Sequence, residues 1–236
     1  MLYDVSRASN LTPLWFDPGF WHARNEVSGE ARGRGKTLFI EAANRHFVLR
    51  HYRRGGLMAR VSEDQYLWSG EYNTRPFDEW HLTYHLRRAG LPVAAPVAAR
   101  YQRQGRHYTG DLLTERLLDT KSLAQSLHEG SLALDRWVAI GRCIGQFHDF
   151  GVEHADLNAH NILLRESGNQ VFLIDFDRGR LRRRGLWCDV TIVRLRRSLE
   201  KIAMQLPRAR FTEADWHALL SGYRERAIAI APAATG

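Results

Sequence analysis

An α+β architecture is expected for this chain, with a mainly antiparallel sheet in its N-terminal half and helices in its C-terminal half. Short β-branched and aromatic runs, punctuated by glycine and asparagine, recur up to about residue 116. Apolar residues at helical spacing dominate after it. With 236 residues, 44% of them hydrophobic, the chain has enough apolar side chain for a sizeable core in one large domain or two small ones. The division is drawn as residues 1–116 and 117–236.

Residues 1 to about 20 carry Trp15, Phe16, Phe20 and Trp21 among Pro13, Pro18 and Gly19, a pattern for an irregular arm packed by aromatics. Gly29 to Thr37 reads as a glycine turn between strands. There Gly33 and Gly35 leave backbone N–H groups open to a phosphate, and Arg32, Arg34 and Lys36 add charge. Leu38 to Glu41 and Phe47 to Arg50 then form a hairpin through Asn44-Arg45. Gly35-Lys36-Thr37 is not a Walker loop. The first glycine of G-x-x-x-x-G-K-[ST] falls on Glu30, and a strand follows where the phosphate-binding helix N-terminus belongs.

Arg53 to Gly70 is read as a loop, basic at its start and apolar at Leu57, Met58, Leu67 and Trp68, which either touches lipid or folds back on its own half. From Arg75 to Ala89, Phe77, Trp80 and Tyr84 recur at helical spacing, with Pro76 in the first turn and Gly90 as the stop. Strands are expected at Leu91–Val97 and Arg100–Tyr108, turning near Gly105, before the junction at Leu112 to Arg116. In the second half Leu123, Leu127, Trp137, Ile140, Ile144 and Phe147 mark core-facing helices that end at Gly151. Ile162 to Leu164 and Val171 to Ile174 form a hairpin turning near Glu166 to Asn169. Residues 189 to 227 close the fold as helices before a small-residue tail.

A formal charge of +8 and a pI near 9.9 favour acidic partners: nucleic acid, nucleotide, phosphorylated lipid or an anionic membrane face. No RNP, zinc-finger or helix-turn-helix pattern supports nucleic acid. Cys143 and Cys188 make neither a zinc pattern nor a disulfide framework and are read as reduced thiols of a cytoplasmic protein. No signal peptide opens the chain and no apolar run has the length of a membrane span, so any membrane contact is expected to be peripheral.

The chemistry is expected where the second hairpin gathers Asp156, Asn161 and Asp175 at one end. Phosphoryl transfer from a nucleotide needs a carboxylate for the acceptor hydroxyl and oxygen ligands for magnesium on the phosphates. In the order H-R-D-x-x-x-x-N followed by D-F-G, Asp156 takes the catalytic position, and Asn161 and Asp175 take the metal positions. Arg50 stands where V-A-I-K carries lysine, which keeps the cation as a planar fork. Its partner is Glu79, unless that residue is an ordinary exposed helix carboxylate. Arg178 to Arg184 is read as an anion-binding rim in preference to a solvated loop.

Five segments resemble the lipopolysaccharide core kinases of Gram-negative bacteria, distant relatives of protein kinases. They are Arg50 to Gly56, Glu79-Trp80, His154 to Leu164, Ile174 to Asp177, and Asp189 with Arg194 to Leu199. Within that family the chain is most similar to the kinases of 3-deoxy-D-manno-octulosonic acid (Kdo). The resemblance covers most of the chain in order. It implies a two-lobed protein-kinase-like fold, a mainly antiparallel N-lobe sheet plus a helical C-lobe, with ATP and Mg2+ as cofactors. It also implies Kdo-lipid A or a related anionic glycolipid as acceptor, with the enzyme peripheral at the anionic cytoplasmic face of the inner membrane. Nucleotide contacts are carried over to Gly33, Gly35, Arg50, Glu79 and a hinge at Glu115. Ala155 replaces the arginine that would clamp a phosphorylated activation loop, Asp177 replaces the glycine of D-F-G, and no A-P-E follows. These departures favour a sugar or lipid hydroxyl over a protein one. A kinase acting on a heptose, a protein or a small soluble molecule is the alternative. Asn158 and His160 either touch the acceptor or brace the loop.

Overall fold

Strand alternation and two aromatic layers build the N-terminal half. A computed structural model describes residues 1–32, 36–53, 64–206 and 210–225. The chain forms two compact units, residues 1–89 with 94–118 and residues 90–93 with 119–236. The first holds a seven-stranded sheet in the order β1 (Leu2–Tyr3), β6 (Pro96–Gln104), β7 (His107–Glu115), β4 (Arg45–His51), β3 (Lys36–Ala42) and β2 (Val27–Arg32), with β5 (Tyr66–Leu67) also paired to β7. Every pairing is antiparallel.

Successive side chains on a strand point to opposite faces, so β4 sends Phe47 and Leu49 one way and Arg50 the other. Phe47 and Leu49 pack with Leu38, Ile40 and Leu113 beneath Phe16 and Trp21, so the N-terminal arm seals that face. A 3-10 turn, Pro13–Phe16, and the short helix α1, Pro18–Ala23, present those two aromatics, and the Trp21 Nε1–H donates to the Trp15 carbonyl at 2.8 Å. Each buried aromatic of this kind contributes about 1.5–3 kcal/mol. On the other face α2 (Arg75–Arg88) lays Phe77 and Trp80 against Tyr52, Ala99, Tyr108 and Leu112.

The β3–β4 turn is Ala43-Asn44, with φ of 50° and 61°, one position before the expected Asn44-Arg45. Asn44 tolerates the left-handed conformation a two-residue hairpin requires, which frees Arg45 to pair with Ala42. The strands expected at Leu91–Val97 and Arg100–Tyr108 are displaced. Pro96 begins β6, which runs unbroken to Gln104, and β7 extends to Glu115. Leu91 to Ala95 lies outside the named strands, and the Pro92 carbonyl accepts from the Leu173 N–H at 3.1 Å. In the loop read as a lipid contact, Trp68 folds back. It packs 4.9 Å from Tyr101 and 6.1 Å from Tyr108, with Arg103 5.0 Å over its ring. Leu57 and Met58 lie outside the described residues.

The second unit carries a small sheet in the order β11 (Val171–Leu173), β10 (Ile162–Arg165), β8 (Thr120–Ser122), and a pair of β9 (Val152–Glu153) with β12 (Arg180–Leu181). Around them are α3 (Leu123–Glu129), α4 (Leu134–Phe150), α5 (Trp187–Ala203) and α6 (Glu213–Arg224). Capping boxes, Ser122 with Gln125 and Thr212 with Asp215, start α3 and α6. Gly151, at φ 89°, ends α4 in the left-handed conformation. The expected apolar row Trp137, Ile140, Ile144 and Phe147 is fully buried. Helices α4 and α6 meet backbone to backbone. A Cβ on Gly141 would overlap the Leu219 carbonyl oxygen, and one on Gly222 the Val138 carbonyl oxygen. Both cysteines are free and buried, and burial pushes the Cys143 thiol up to about 12, which leaves it unreactive.

Candidate active site

In the second unit the site begins from strand register. Ile162 faces Leu173 across the antiparallel pair, so Asn161 and Ile174, the next residues outward, share one end, joined by the Ile174 N–H to the Asn161 carbonyl at 3.1 Å. The loop entering β10 is tied by its own asparagines, whose short amides compete for backbone groups and so favour turns. Asn161 Nδ2 and Asn158 Nδ2 both donate to the Asp156 carbonyl, at 2.9 and 3.0 Å. Asn158 Oδ1 accepts the His160 N–H at 2.8 Å. Asn158 is therefore a brace, both ends of its amide being engaged within the loop. Asp156 is left exposed on that loop, while Asn161 is buried.

His154 joins the loop to the hairpin end. Its Nε2–H donates to the Ile174 carbonyl at 2.9 Å, and its Nδ1 accepts the Asp156 N–H at 3.2 Å. Burial lowers its pKa. The Ile174 bond and the charges of Asp175 and Asp156 oppose that shift, and Arg194 adds to it. A neutral ring with its proton on Nε2 satisfies both bonds. Asp175, two residues past the end of β11, has φ 65°, a conformation its short polar side chain tolerates. Phe176 then turns back into the core, 5.7 Å from Phe147 and 5.0 Å from His154. Ser198 of α5 supports the loop from outside, its Oγ accepting the Ala159 N–H at 3.2 Å.

The donor set at this end suits a hard cation. Asn161 commits its amide nitrogen to the Asp156 carbonyl, so its oxygen is the atom that could meet a cation, and Asp175 would add a carboxylate. Magnesium takes oxygen ligands, keeps several waters and needs only one or two protein groups besides phosphates, and these residues fit it. No group of three or more His, Cys, Asp or Glu placed to hold a metal occurs among the described residues.

In the first unit Arg50 shares the α2 side of β4 with Tyr52. Arg50 Nη2 and the Tyr52 hydroxyl both donate to Glu79 Oε2, and Arg50 Nη2 lies 3.1 Å from the Tyr52 oxygen. The Glu79 side chain is 4% exposed, which rules out the ordinary surface carboxylate. The Glu115 carboxylate is engaged elsewhere, accepting from Arg7 at 2.6 Å and Arg45 at 3.2 Å, and its N–H donates to the Ala95 carbonyl. A nucleotide contact at that position would have to come from atoms other than these. Gly33 and Gly35 lie outside the described residues. The basic run is only partly open: Arg182 pairs with Glu153 at 2.9 Å and Arg184 with Asp149, while Arg178, Arg180 and Arg183 make no ion pair among the described residues.

Sequence reading missed a polar row across the first sheet. Asp111, 4% exposed, faces His51 on one neighbouring strand and Arg100 on the other, at 2.7 and 2.9 Å. Only the register of three strands aligns these residues, and no local pattern signals it.

A family model described as "Lipopolysaccharide kinase (Kdo/WaaP) family" matches residues 19–223. The chain is 39% identical to a protein of Mannheimia succiniciproducens over 216 residues, 89% of this chain and 90% of that one. It is 44% identical to one of Xylella fastidiosa over 203 residues, 86% and 80% of the two chains. It is 38% identical to one of Haemophilus influenzae over 231 residues, 95% of each. All three are named 3-deoxy-D-manno-octulosonic acid kinase.

Proposed function

The chain belongs to the lipopolysaccharide kinase (Kdo/WaaP) family, and from that premise we propose that it transfers the terminal phosphoryl group of ATP to a hydroxyl of the Kdo residue on lipid A. The observation that carries this reading is the braced loop, in which Asn161 holds the Asp156 carbonyl at the end of the hairpin that leads into Asp175. Asp156 accepts the proton of the attacking hydroxyl as the new oxygen–phosphorus bond forms and the bond to ADP breaks. Asn161 Oδ1 and the Asp175 carboxylate hold Mg2+. Bound there, magnesium supplies charge neutralisation on the phosphates. Arg50, pinned by Glu79 and Tyr52, keeps its guanidinium fixed for the nucleotide phosphates, as the lysine of V-A-I-K does in protein kinases. Backbone N–H groups at Gly33 and Gly35 serve the same phosphates, and the chain at Glu115 serves the adenine.

No helix among the described residues is long and apolar enough to cross a membrane. Its lipid-anchored acceptor brings the protein to the anionic face of the inner membrane as a peripheral partner. Asn158, spent on the loop, is withdrawn as an acceptor contact, whereas His160 is exposed beside it. The test is purified protein with radiolabelled ATP, magnesium and Kdo-lipid A, with free Kdo, casein and single-stranded RNA as controls. Label in the lipid fraction that disappears on chelation is the expected result. Transfer to casein, or to none of the four, would overturn the assignment.

A further inference from the structure

Helix α5 carries an outer face that the proposed reaction does not use. Its inner side is core, with Trp187, Ile192, Leu195 and Leu199 buried. On the opposite side Leu186, at the helix N-terminus, and then Val190 and Val193 are 84, 61 and 47% exposed. Their spacing of four and three residues puts them in one row. The row continues through Arg194, Arg197 and Lys201, all exposed and none in an ion pair among the described residues, and ends at Met204, 85% exposed. The Arg183 carbonyl accepts the Trp187 Nε1–H at 2.8 Å, which sets another exposed arginine beside the first turn. Acids stand only along one edge, where Asp189 is exposed and Glu200 is paired with Arg196 at 2.8 Å.

Single exposed aliphatics are ordinary, but three in a row that then turns cationic form the pattern of a helix lying in a lipid interface. The face is also well placed. Ser198, one turn beyond Arg194 and on the border of the row, holds the loop that carries Asp156 through the Ala159 N–H at 3.2 Å. The loop from Arg53 to Gly70 is a weaker candidate, because Trp68 is packed in its own unit and Leu67 alone stands out among its described apolar residues.

We propose that the outer face of α5 is the surface by which this protein lies on an anionic bilayer, with Leu186, Val190 and Val193 in the interface and Arg183, Arg194, Arg197 and Lys201 at the level of the headgroup charges. The proposal rests on the reading of a lipid-linked acceptor. Charge complementarity chooses the occupant. A second copy of the same face offers its four cations only Asp189 and the already paired Glu200, both at one edge, whereas a bilayer of anionic lipid meets both the cations and the aliphatic row.

The test is flotation of the full-length protein with vesicles of phosphatidylcholine, with or without phosphatidylglycerol, across a salt series. Wild type should float only with the anionic vesicles and less as salt rises. R197Q/K201Q should weaken partitioning by about fivefold per lost charge. L186S/V190S should weaken it about tenfold or more, and Leu186→Trp should strengthen it, a gain that loss of folding does not imitate. Thermal midpoints equal to wild type qualify each variant. Failure of wild type to float, equal flotation of wild type and both double variants, or a wild-type dimer dissolved by L186S/V190S with flotation unchanged would each overturn the proposal. Because flotation needs neither ATP nor acceptor, phosphorylation of detergent-dispersed Kdo-lipid A by a protein that does not float would refute the docking surface and leave the proposed reaction standing. Salt-sensitive, face-dependent flotation without phosphorylation would do the reverse.

Discussion

Removing the charge from either side of the Arg50–Glu79 pair should cost unequal amounts of stability, because the carboxylate is 4% exposed and the arginine side chain 23%. Arg50→Met leaves a buried anion that still accepts from the Tyr52 hydroxyl but has lost the Arg50 guanidinium, a loss of about 3–5 kcal/mol. Glu79→Gln leaves a cation that reaches water and a neutral amide that still meets Tyr52, for about 1–2 kcal/mol. The double variant removes both charges of the pair and should be more stable than Arg50→Met alone, with a coupling of about 2 kcal/mol. At about 2–4 °C per kcal/mol for a chain of this size, Arg50→Met should lower Tm by roughly 6–20 °C and Glu79→Gln by roughly 2–8 °C. Urea unfolding of nucleotide-free protein, followed by far-ultraviolet circular dichroism with a common slope, gives the same order in free energy. Glu79→Gln costing as much as Arg50→Met, or a double variant equal to the sum of the two, would refute the argument from burial.

Asp156→Ala should lower turnover by about 10²–10⁴ while nucleotide still binds, since a general base acts mainly on the transition state. Asp175→Ala should remove magnesium-dependent nucleotide binding as well, and a nucleotide titration beside single-turnover kinetics separates the two. Gly141→Ala should cost more than about 3 kcal/mol, because its Cβ would meet the Leu219 carbonyl where two backbones touch, whereas Gly130→Ala, with nothing near its Cβ, should change stability by under about 1 kcal/mol. Burial, with Arg184 and His154 adding to it, lowers His148 from 6.5 to about 4. A folded pKa below the unfolded one means this stability is complete above pH 6.5 and is lost as pH falls toward 4, by at most about 3 kcal/mol. His148→Gln, which can still bond the Tyr223 hydroxyl, should therefore lose less stability than wild type between those two values. Parallel curves would show that His148 does not titrate in this way.

What the sequence determined by itself is whatever is written locally. The five-residue interval from Asp156 to Asn161, the hairpin into Asp175, the α2 helix between Pro76 and Gly90 and the apolar row of α4 all follow from hydrophobic period, turn residues and motif order, which need no distant partner. Even the Arg50–Glu79 pair was expected, but only from likeness to a kinase pattern, and its burial was not legible. The tertiary structure decided the matters that depend on which strands and helices meet. It gave Glu115 to Arg7 and Arg45, aligned His51, Asp111 and Arg100 across three strands, and packed Trp68 on Tyr101 instead of leaving it for lipid. It also left Leu186, Val190 and Val193 on the outside of α5, while the glycines of α4 and α6 closed on each other. The physical reason is the same in each case: a side chain's own neighbours in the chain set its conformation and its face, but burial and partnership are set by residues far away in sequence, brought near only when register and helix packing are chosen.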